Sequence, residues 1–386
     1  MGVGTLQTAN PGISTVSRMP QTTGTPTTNN QTPFARLSRN MSILGPNQAG
    51  NAYGALWTPI LKPVGGYLAW LRLTLIGSGG TQTSGAQSTG DWPYSLIQNL
   101  FLRDPFGQPI IQCDGFSLNL INIYGGQCGM LGFGNSPAAM PSYSIAGVAA
   151  GNCTLALDIP FEMDTSGYCS LASMNASSQP QLQLQLNTAA GAYTPGGTAP
   201  STGTAATFQL SVDEYFNGAP VDYPEAAPPD VGSSGQWSVA RAQSTVAASA
   251  FQRIVLPRVG TWVHTLILVI RDSTNLRVDA WPTADLTLWV DGVPVLFETF
   301  LERQDNMFRH FGVARPTGVV VYTFRDSVMW AISKADTYDS LLPTTPATLL
   351  EVAGTFGSAG TPPYTIQCVT GELFPNGGIP YTHLAS

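Results

Sequence analysis

Short apolar runs separated by loops rich in Gly, Pro, Ser and Thr recur along the chain and predict β-strands. The clearest run is Gln181–Leu186, in which glutamine and leucine alternate, so that one face is apolar and the other is polar and uncharged. Helical spacing replaces alternation at Phe116–Tyr124 and at Phe297–Phe308. Other strands are predicted near residues 55–62, 66–76, 95–103, 108–113, 152–161 and 207–216, and again near 252–257, 261–271, 285–290, 293–297, 318–324, 348–355 and 364–369.

The two groups of strands repeat one plan. Each contains a long strand that follows a glycine, a hairpin signal, a helical stretch after the hairpin, and a closing triplet of one acidic and two apolar residues. The matched positions are Gly66 and Gly260 before the long strand, Gly107 and Gly292 in the hairpin, and Glu214 and Glu372 in the triplet. We therefore predict a duplicated β-domain in which these pairs are equivalent structural positions, the two glutamates accepting hydrogen bonds from backbone donors at a strand end.

The strand pattern predicts an all-β fold of two tandem eight-stranded antiparallel jelly-roll sandwiches, with short loop helices and an extended N-terminal arm. The sequence lacks the alternation of strands and helices that is typical of a parallel sheet. Its 386 residues are enough for two hydrophobic cores. The predicted division is an arm over residues 1–50, a first jelly roll over 51–220, a linker over 221–240 and a second jelly roll over 241–386. The linker is predicted from its density of Pro and Gly.

The N-terminal arm is predicted to need a partner. Residues 1–33 are rich in Thr, Gln, Asn, Gly and Pro and have little apolar surface to bury, and Phe34–Leu44 has the spacing of a short helix. Residues 1–90 contain no Asp or Glu, although the whole chain has a net charge of −7. Arg18, Phe34, Arg36 and Arg39 are therefore candidates for contact with an inner surface, a membrane or a neighbouring subunit; coding bias is the alternative explanation.

The low content of charged residues favours a protein that uses much of its surface for contacts with other protein subunits. Only 10% of the residues are charged, against about 25% in ordinary soluble domains. The acidic balance argues against sequence-specific binding of nucleic acid, which needs clustered Lys and Arg. No run of 18 apolar residues predicts a membrane span, and the chain does not begin with the pattern of a signal peptide.

The sequence predicts no catalytic residue, no cofactor and no metal site. His264, His310 and His383 stand far apart, and the five cysteines form no C-x-x-C pair, which favours free, buried thiols. An alternative glycan hydrolase would use a carboxylate pair, for which the chain offers Asp213 with Glu214 or Glu298 with Glu302. An alternative sugar platform would use Trp92 or Trp281, beside prolines.

The order of these segments resembles that of double jelly-roll major capsid proteins of the tectivirus type, from tailless, membrane-containing phages in a lineage that includes the adenovirus hexon. The residues that carry the resemblance are Gly66–Ile76 leading to Ser95–Asp104, Gly115–Asn122 after the hairpin, Ile159–Gly167 and Gln179–Leu186. It covers most of residues 50–374. The Thr/Gly-rich arm departs from the helix-forming, Gln/Ala-rich segment of some relatives.

The resemblance implies a major capsid protein that forms a homotrimeric, pseudo-hexagonal capsomer and tiles an icosahedral shell over an internal membrane. The arm would face inward, towards the membrane or a neighbouring subunit. Implied partners are further copies of the chain, neighbouring capsomers and minor capsid or vertex proteins. The implied location is the virion, after assembly in the host cytoplasm, and neither catalysis nor a cofactor is implied. Two alternatives stay open: a carbohydrate-binding or glycan-hydrolysing double jelly-roll protein, and a minor vertex or spike protein.

Overall fold

The structure is a computed structural model of the 386-residue chain. It describes residues 40–63, 65–78, 91, 93–104, 107, 109–124, 153–161, 171–173, 179–193, 207–218, 236–256, 260–282, 286–311, 315–324, 341–344 and 349–374. Strands dominate these residues, as the alternating sequence pattern predicts.

The first half contains ten strands among the described residues. They are β1 (Asn40–Ile43), β2 (Gln48–Asn51), β3 (Leu56–Trp57), β4 (Gly66–Ser78), β5 (Ile97–Arg103), β6 (Pro109–Cys113), β7 (Cys153–Pro160), β8 (Leu171–Ser173), β9 (Gln181–Leu186) and β10 (Thr207–Gly218). A 3-10 helix (Tyr94–Leu96) precedes β5, helix α1 (Gly115–Tyr124) follows β6, and helix α2 (Ala189–Tyr193) follows β9.

The second half repeats this order with nine described strands. They are β11 (Gln236–Val246), β12 (Phe251–Val255), β13 (Trp262–Arg271), β14 (Leu286–Val290), β15 (Val293–Glu298), β16 (Val319–Thr323), β17 (Leu342–Pro343), β18 (Leu350–Thr355) and β19 (Tyr364–Phe374). Helix α3 (Phe300–Phe311) lies between β15 and β16, as α1 lies between β6 and β7.

Pairing of the strands gives two eight-stranded jelly rolls with the same topology. In the first roll one sheet has the order β1-β10-β4-β7 and the other β3-β9-β5-β6; in the second roll the orders are β11-β19-β13-β16 and β12-β18-β14-β15. All pairs within each roll are antiparallel. The predicted fold class, a tandem pair of antiparallel jelly rolls, is thereby confirmed.

A β-bulge at the same place in both rolls supports the duplication. The register between β4 and β10 skips Ala69, and the register between β13 and β19 skips His264. A second bulge lies at Ile110, just after Pro109 in β6, and at Val295, just after Pro294 in β15. Because a bulge adds one residue at a fixed point of the ladder, these positions define which residues of the two rolls correspond.

Two predicted elements on either side of residue 50 need correction. Residues 40–43 form strand β1 on β10, so this part of the predicted helix Phe34–Leu44 is wrong: pairing with a long neighbouring strand outweighs the helical spacing of a short segment. Only Leu56–Trp57 is a strand within the predicted strand 55–62. The predicted boundaries at residues 50 and 240 fall inside β2 and β11, and we propose that the rolls begin at Asn40 and Gln236.

The two cores are built by inward-facing apolar residues of each sandwich. In β9 the three leucines are buried and the glutamines face outward, as the alternation predicts. In β4 the alternate residues Leu71, Leu73 and Leu75 are buried. All ten residues of β13 are buried, because both faces of its sheet are covered.

Candidate assembly surfaces

The two rolls are joined edge to edge into one continuous sheet. Strand β6, at the edge of the first roll, pairs in parallel with β11, at the edge of the second, through Ile111 opposite Val239 and Gln112 opposite Ala240. The result is a nine-stranded sheet that crosses the boundary between the rolls. This pairing gives backbone groups at both edges hydrogen-bond partners and fixes the register of one roll on the other.

Helix α1 reinforces the junction through the cap at its N-terminus. The Asp114 side chain accepts a hydrogen bond from the backbone N–H of Ser117 at 2.6 Å, which caps the helix. The same carboxylate forms an ion pair with Arg241 of β11 and accepts a 3.0 Å hydrogen bond from the Gln367 amide of β19. Asp114 therefore caps the N-terminus of α1 in the first roll and also anchors this helix on the second roll.

A second polar contact lies nearby and is almost fully buried. Asp91 of the first roll forms ion pairs with Arg271 at 2.6 Å and with Arg277 at 2.7 Å. Both guanidinium groups lie over the ring of Phe116 on α1, at 5.6 and 5.2 Å from its centroid. Asp91 and Arg271 are buried, so each charge depends on its partner for stabilisation.

Asp272 holds the loop that carries Arg277. Its carboxylate accepts hydrogen bonds from the Thr274 hydroxyl at 2.6 Å and from the backbone N–H groups of Thr274, Leu276 and Thr361. Burial acts to raise the pKa of Asp272, but these hydrogen bonds outweigh it and the pKa lies below its ordinary value.

We expect Asp272 to make the stability of the protein depend on acid pH. Its folded-state pKa is lower than its unfolded one, so its contribution is fully present above the unfolded pKa of about 3.9 and is lost as the pH falls through the folded pKa. Unfolding free energies from urea titrations at a series of pH values should fall less steeply in Asp272→Asn than in wild type below about pH 4. Equal slopes would contradict this role.

The apolar part of the junction lies on the outer face of β13 and its neighbours. Ile267, Val269 and Trp262 belong to the same buried cluster as Phe116 and the other apolar residues of α1. The inner face of the same strand, including Leu266 and Leu268, belongs to the core of the second roll. Strand β13 is thus shared between two cores.

The corresponding outer face of the first roll carries different residues. At positions equivalent to Ile267 and Val269, β4 carries Arg72 and Thr74, which are half-buried. Arg72 forms a 2.8 Å ion pair with Asp158, and Trp70 stacks on Tyr215 at 4.8 Å between ring centroids. This face is therefore more polar than its counterpart on the second roll.

Large exposed apolar side chains occur at two sites: on this face of the first roll, and in the second roll where strand β15 leads into helix α3. Leu44 is 70% exposed and Ile76 is 40% exposed at the first site, while Phe297 is 68% and Leu301 is 72% exposed at the second. Helix α3 itself is well formed: Thr299 and Glu302 cap it reciprocally, with the Thr299 N–H donating to Glu302 at 2.8 Å and the Glu302 N–H donating to the Thr299 hydroxyl at 3.2 Å.

The predicted glycine positions lie at turns. Gly107 and Gly292 stand at the same distance before the equivalent prolines and have φ of 85° and 79°, so the two hairpins need a residue without a β-carbon there. Gly260 also has a positive φ, of 92°. Counted from the bulge, however, its counterpart is Gly65, with φ of 63°, and the predicted match to Gly66 is shifted by one residue.

The two predicted glutamates are both buried, on the equivalent strands β10 and β19. Glu214 accepts a 2.7 Å hydrogen bond from the backbone N–H of Lys62, and Glu372 accepts hydrogen bonds from the hydroxyls of Thr261 at 2.5 Å and Thr370 at 3.1 Å. Burial raises the pKa of Glu214 despite the Lys62 contacts. Counted from the bulge the two glutamates differ by two residues, so they share a strand face but not a position.

The structure does not bring together the residues of the alternative glycan sites. Asp213 accepts a hydrogen bond from the Gly45 N–H and Glu214, next to it on the strand, lies on the opposite face. Glu298 pairs with Arg303 at 3.2 Å, while Glu302 belongs to the helix cap. Trp281 is 1% exposed and offers no platform to a sugar, and Trp92 lies outside the described residues.

The remaining predicted chemistry is distributed as follows. His264 is buried at the bulge of β13, with Nδ1 2.6 Å from the Thr265 hydroxyl. Cys113 and Cys368 are buried free thiols whose pKa burial raises. Within the described part of the chain, no group of three or more His, Cys, Asp and Glu side chains is placed to hold a metal ion, and no helix is long and apolar enough to span a membrane.

The candidate arm contacts Arg18, Phe34, Arg36 and Arg39 lie outside the described residues, as do His383 and the side chain of His310. Sequence analysis missed Asp91, Asp114, Arg271 and Arg277, which form the junction between the rolls. The available signal was the low content of charged residues, which is 10%. Charged side chains are seldom buried unless they are paired, so an Asp or Arg beside an apolar strand indicates a specific partner.

Topology, bulges and junction together define a double jelly roll. The same fold is found in solved viral capsid proteins. The chain superposes on the major capsid protein of Sulfolobus turreted icosahedral virus with a TM-score of 0.65 and 15% identity, covering 90% of this chain and 99% of that one. The PBCV-1 virus capsid protein gives a TM-score of 0.61 and 10% identity, with 88% and 95% of the chains covered.

The fold is also that of the major capsid protein P2 of bacteriophage PM2, with a TM-score of 0.50 and 12% identity, covering 88% of this chain and 100% of that one. No protein-family model and no curated protein sequence matches the chain. At these identities the likeness establishes the shared fold, across nearly the whole length of both chains.

Proposed function

We propose that the chain is the major capsid protein of a tailless bacteriophage with an internal membrane. Three copies form a pseudo-hexagonal capsomer that tiles an icosahedral shell, and the protein is structural, without catalysis or cofactor. The observation that carries the proposal is the junction itself: two equivalent rolls are held side by side by a parallel strand pair, so that one chain presents two similar units to its neighbours.

Symmetry explains why duplication suits a shell. A trimer of a two-roll chain has six similar units around its axis and can fill a sixfold position of a lattice with only three chains. The proteins with this fold named above are major capsid proteins, which supports the same role here. The few charged residues suit a surface that becomes buried on assembly, since buried charges are costly unless paired.

The proposed partners follow from this role. They are further copies of the chain within the capsomer, neighbouring capsomers and minor capsid or vertex proteins. The N-terminal arm, with Arg18, Phe34, Arg36 and Arg39, faces the shell interior and contacts the internal membrane or a neighbouring subunit. The protein is made in the host cytoplasm and resides in the virion.

Size-exclusion chromatography with light scattering tests the capsomer, using the full chain and a chain that lacks residues 1–39 and so keeps all of β1. We expect each to have about three times the mass of its own chain, which is 40.8 kDa for the full chain, and only the full chain to assemble into shells seen by electron microscopy. A monomeric full chain would contradict the capsomer, and normal shells from the shortened chain would contradict the role of the arm.

A further inference from the structure

We propose that copies of the chain join by repeating, between molecules, the junction that joins the two rolls within one molecule. This proposal rests on the proposed capsomer and names its contact surfaces. Helix α3 and strand β15 of one copy dock on the edge strand β1 and the outer face of the β1-β10-β4-β7 sheet of the next copy. Both surfaces are present on every chain: β1 is an edge strand of the first roll, and β15 is an edge strand of the second.

The docking element of the second roll is built like that of the first. Strand β15 has a bulge just after Pro294 and β6 has one just after Pro109, and each strand leads into its helix, α3 or α1. Thr299 caps α3 where Asp114 caps α1. Met307 of α3 accepts a hydrogen bond from the backbone of β16 where Asn122 of α1 donates one to the backbone of β7, so both helices sit alike on their own rolls.

The receiving surface of the first roll corresponds to the one that α1 occupies on the second. Counted from the shared bulge, Ile76 of β4 stands where Arg271 stands in β13, and Ser211 of β10 stands where Gln367 stands in β19. Leu44, just after β1, takes the place of Arg241 in β11. Arg271, Gln367 and Arg241 are the residues that hold α1 within the chain.

Two open strand edges fit the same repeat. Among the described residues β1 pairs with β10 on one side, and β15 pairs with β14 on one side, so each leaves an edge of backbone donors and acceptors. Within the chain the equivalent edges pair in parallel, with Val239 opposite Ile111 and Ala240 opposite Gln112. Transferring that register places Ser42 opposite Leu296 and Ile43 opposite Phe297 of the neighbouring copy.

The side chains of the two surfaces are complementary. On α1, Phe116 is buried beneath the guanidinium group of Arg271. At the equivalent places α3 carries the exposed Leu301 and β4 the exposed Ile76. The contact between copies would thus have an apolar pair, Leu301 with Ile76, where the junction within the chain has an aromatic ring and a cation. It would also bury two apolar side chains that are exposed to water in the single chain.

A second copy is the occupant that these observations favour. The two surfaces differ from each other, so the contact runs head to tail, and such contacts close into a ring when the rotation between copies allows it. The equivalent pair of surfaces, β6 with α1 and the β11 edge of the second roll, already meets within each chain through a parallel strand pair. A different protein on either surface would instead leave the other open.

Charge placed in the contact tests the proposal. We expect Leu301→Glu and Ile76→Glu each to shift the mass in light scattering from three chains to one, while the far-UV circular dichroism spectrum stays that of wild type. Phe251→Glu is the matched control, because Phe251 is exposed to a similar degree on β12, outside the proposed contact, and this variant should keep the mass of wild type. Trimers that tolerate both substitutions would overturn the contact.

A cross-link tests the register. In a parallel pair, opposite Cα atoms lie about 4.8 Å apart, within the range of a disulfide. The double variant Ile43→Cys with Phe297→Cys should give covalent trimers on non-reducing gels after mild oxidation, and the single variants should not.

The two proposals fail separately in these experiments. Wild-type trimers without cross-links, together with trimeric Leu301→Glu and Ile76→Glu variants, overturn this contact and leave the capsomer standing. A monomeric wild-type chain, with no cross-link at micromolar concentration, overturns both.

Discussion

Replacing Asp91 with alanine is expected to lower the free energy of unfolding by about 3–5 kcal/mol, because it leaves two guanidinium groups at the junction without their carboxylate. Arg271 and Arg277 reach Asp91 from the second roll at 2.6 and 2.7 Å, and their side chains are largely buried. Removing one member of a buried charge group costs far more than removing a surface pair, since the remaining charges keep their desolvation penalty. Chemical unfolding at fixed protein concentration measures the change.

A surface ion pair in the same chain provides the control. Asp305 and Arg309 of α3 form an i, i+4 pair at 2.7 Å, but both side chains are exposed. Asp305→Ala should change stability by less than about 1 kcal/mol. If Asp91→Ala were equally mild, the buried charges would be solvated in the native state and the junction would depend on its apolar contacts alone. A double variant with Arg271→Met should recover part of the loss, because it removes one of the unpaired charges.

The strands that alternate most regularly could be predicted from the sequence with little error. In Gln181–Leu186 the period of two leaves a single choice of buried face, and the structure buries the three leucines. The hairpin at Asp291-Gly292 was equally clear, since both residues adopt the positive φ that this dipeptide favours. The order of these signals in both halves was enough to predict two jelly rolls.

Strands whose pattern depends on a distant partner could not be predicted in this way. Strand β1 is four residues long and owes its conformation to pairing with β10, more than 150 residues later in the chain. Strand β11 mixes polar and apolar residues because it lies between two rolls, and its sequence looked like the end of a linker. The single-residue shift between Gly65 and Gly66 comes from the bulge at Ala69, which has no sequence signal of its own.

The junction was also hidden from the sequence, for a physical reason. Its ionic contacts join residues that are far apart in the chain: Asp91 and Arg277 are separated by 186 positions. Periodicity reports which face of a strand is buried, but carries no information about which roll covers it. The duplicated plan predicted two similar units, and only the structure shows that one unit covers the outer face of the other.

Because the first roll covers the outer face of β13, the equivalent strands β13 and β4 are expected to respond differently to substitution. Ile267→Ala is expected to lower the free energy of unfolding by about 2–5 kcal/mol, the range for removing a large side chain from a core. Ile267 lies on the outer face of β13, which would be solvent-facing in an isolated roll, but here it packs in one cluster with α1 of the first roll. Chemical unfolding at fixed protein concentration would measure the loss.

Thr74 is the matched control, because it lies on the outer face of β4, the strand equivalent to β13, and is half-buried. Thr74→Ala should change stability by no more than about 0.5 kcal/mol. Equal, small effects at both positions would mean that the rolls fold as independent sandwiches and that their junction contributes little to stability. A large effect at Ile267 alone would mean that the second roll depends on the first, so that the two rolls fold and assemble as one unit.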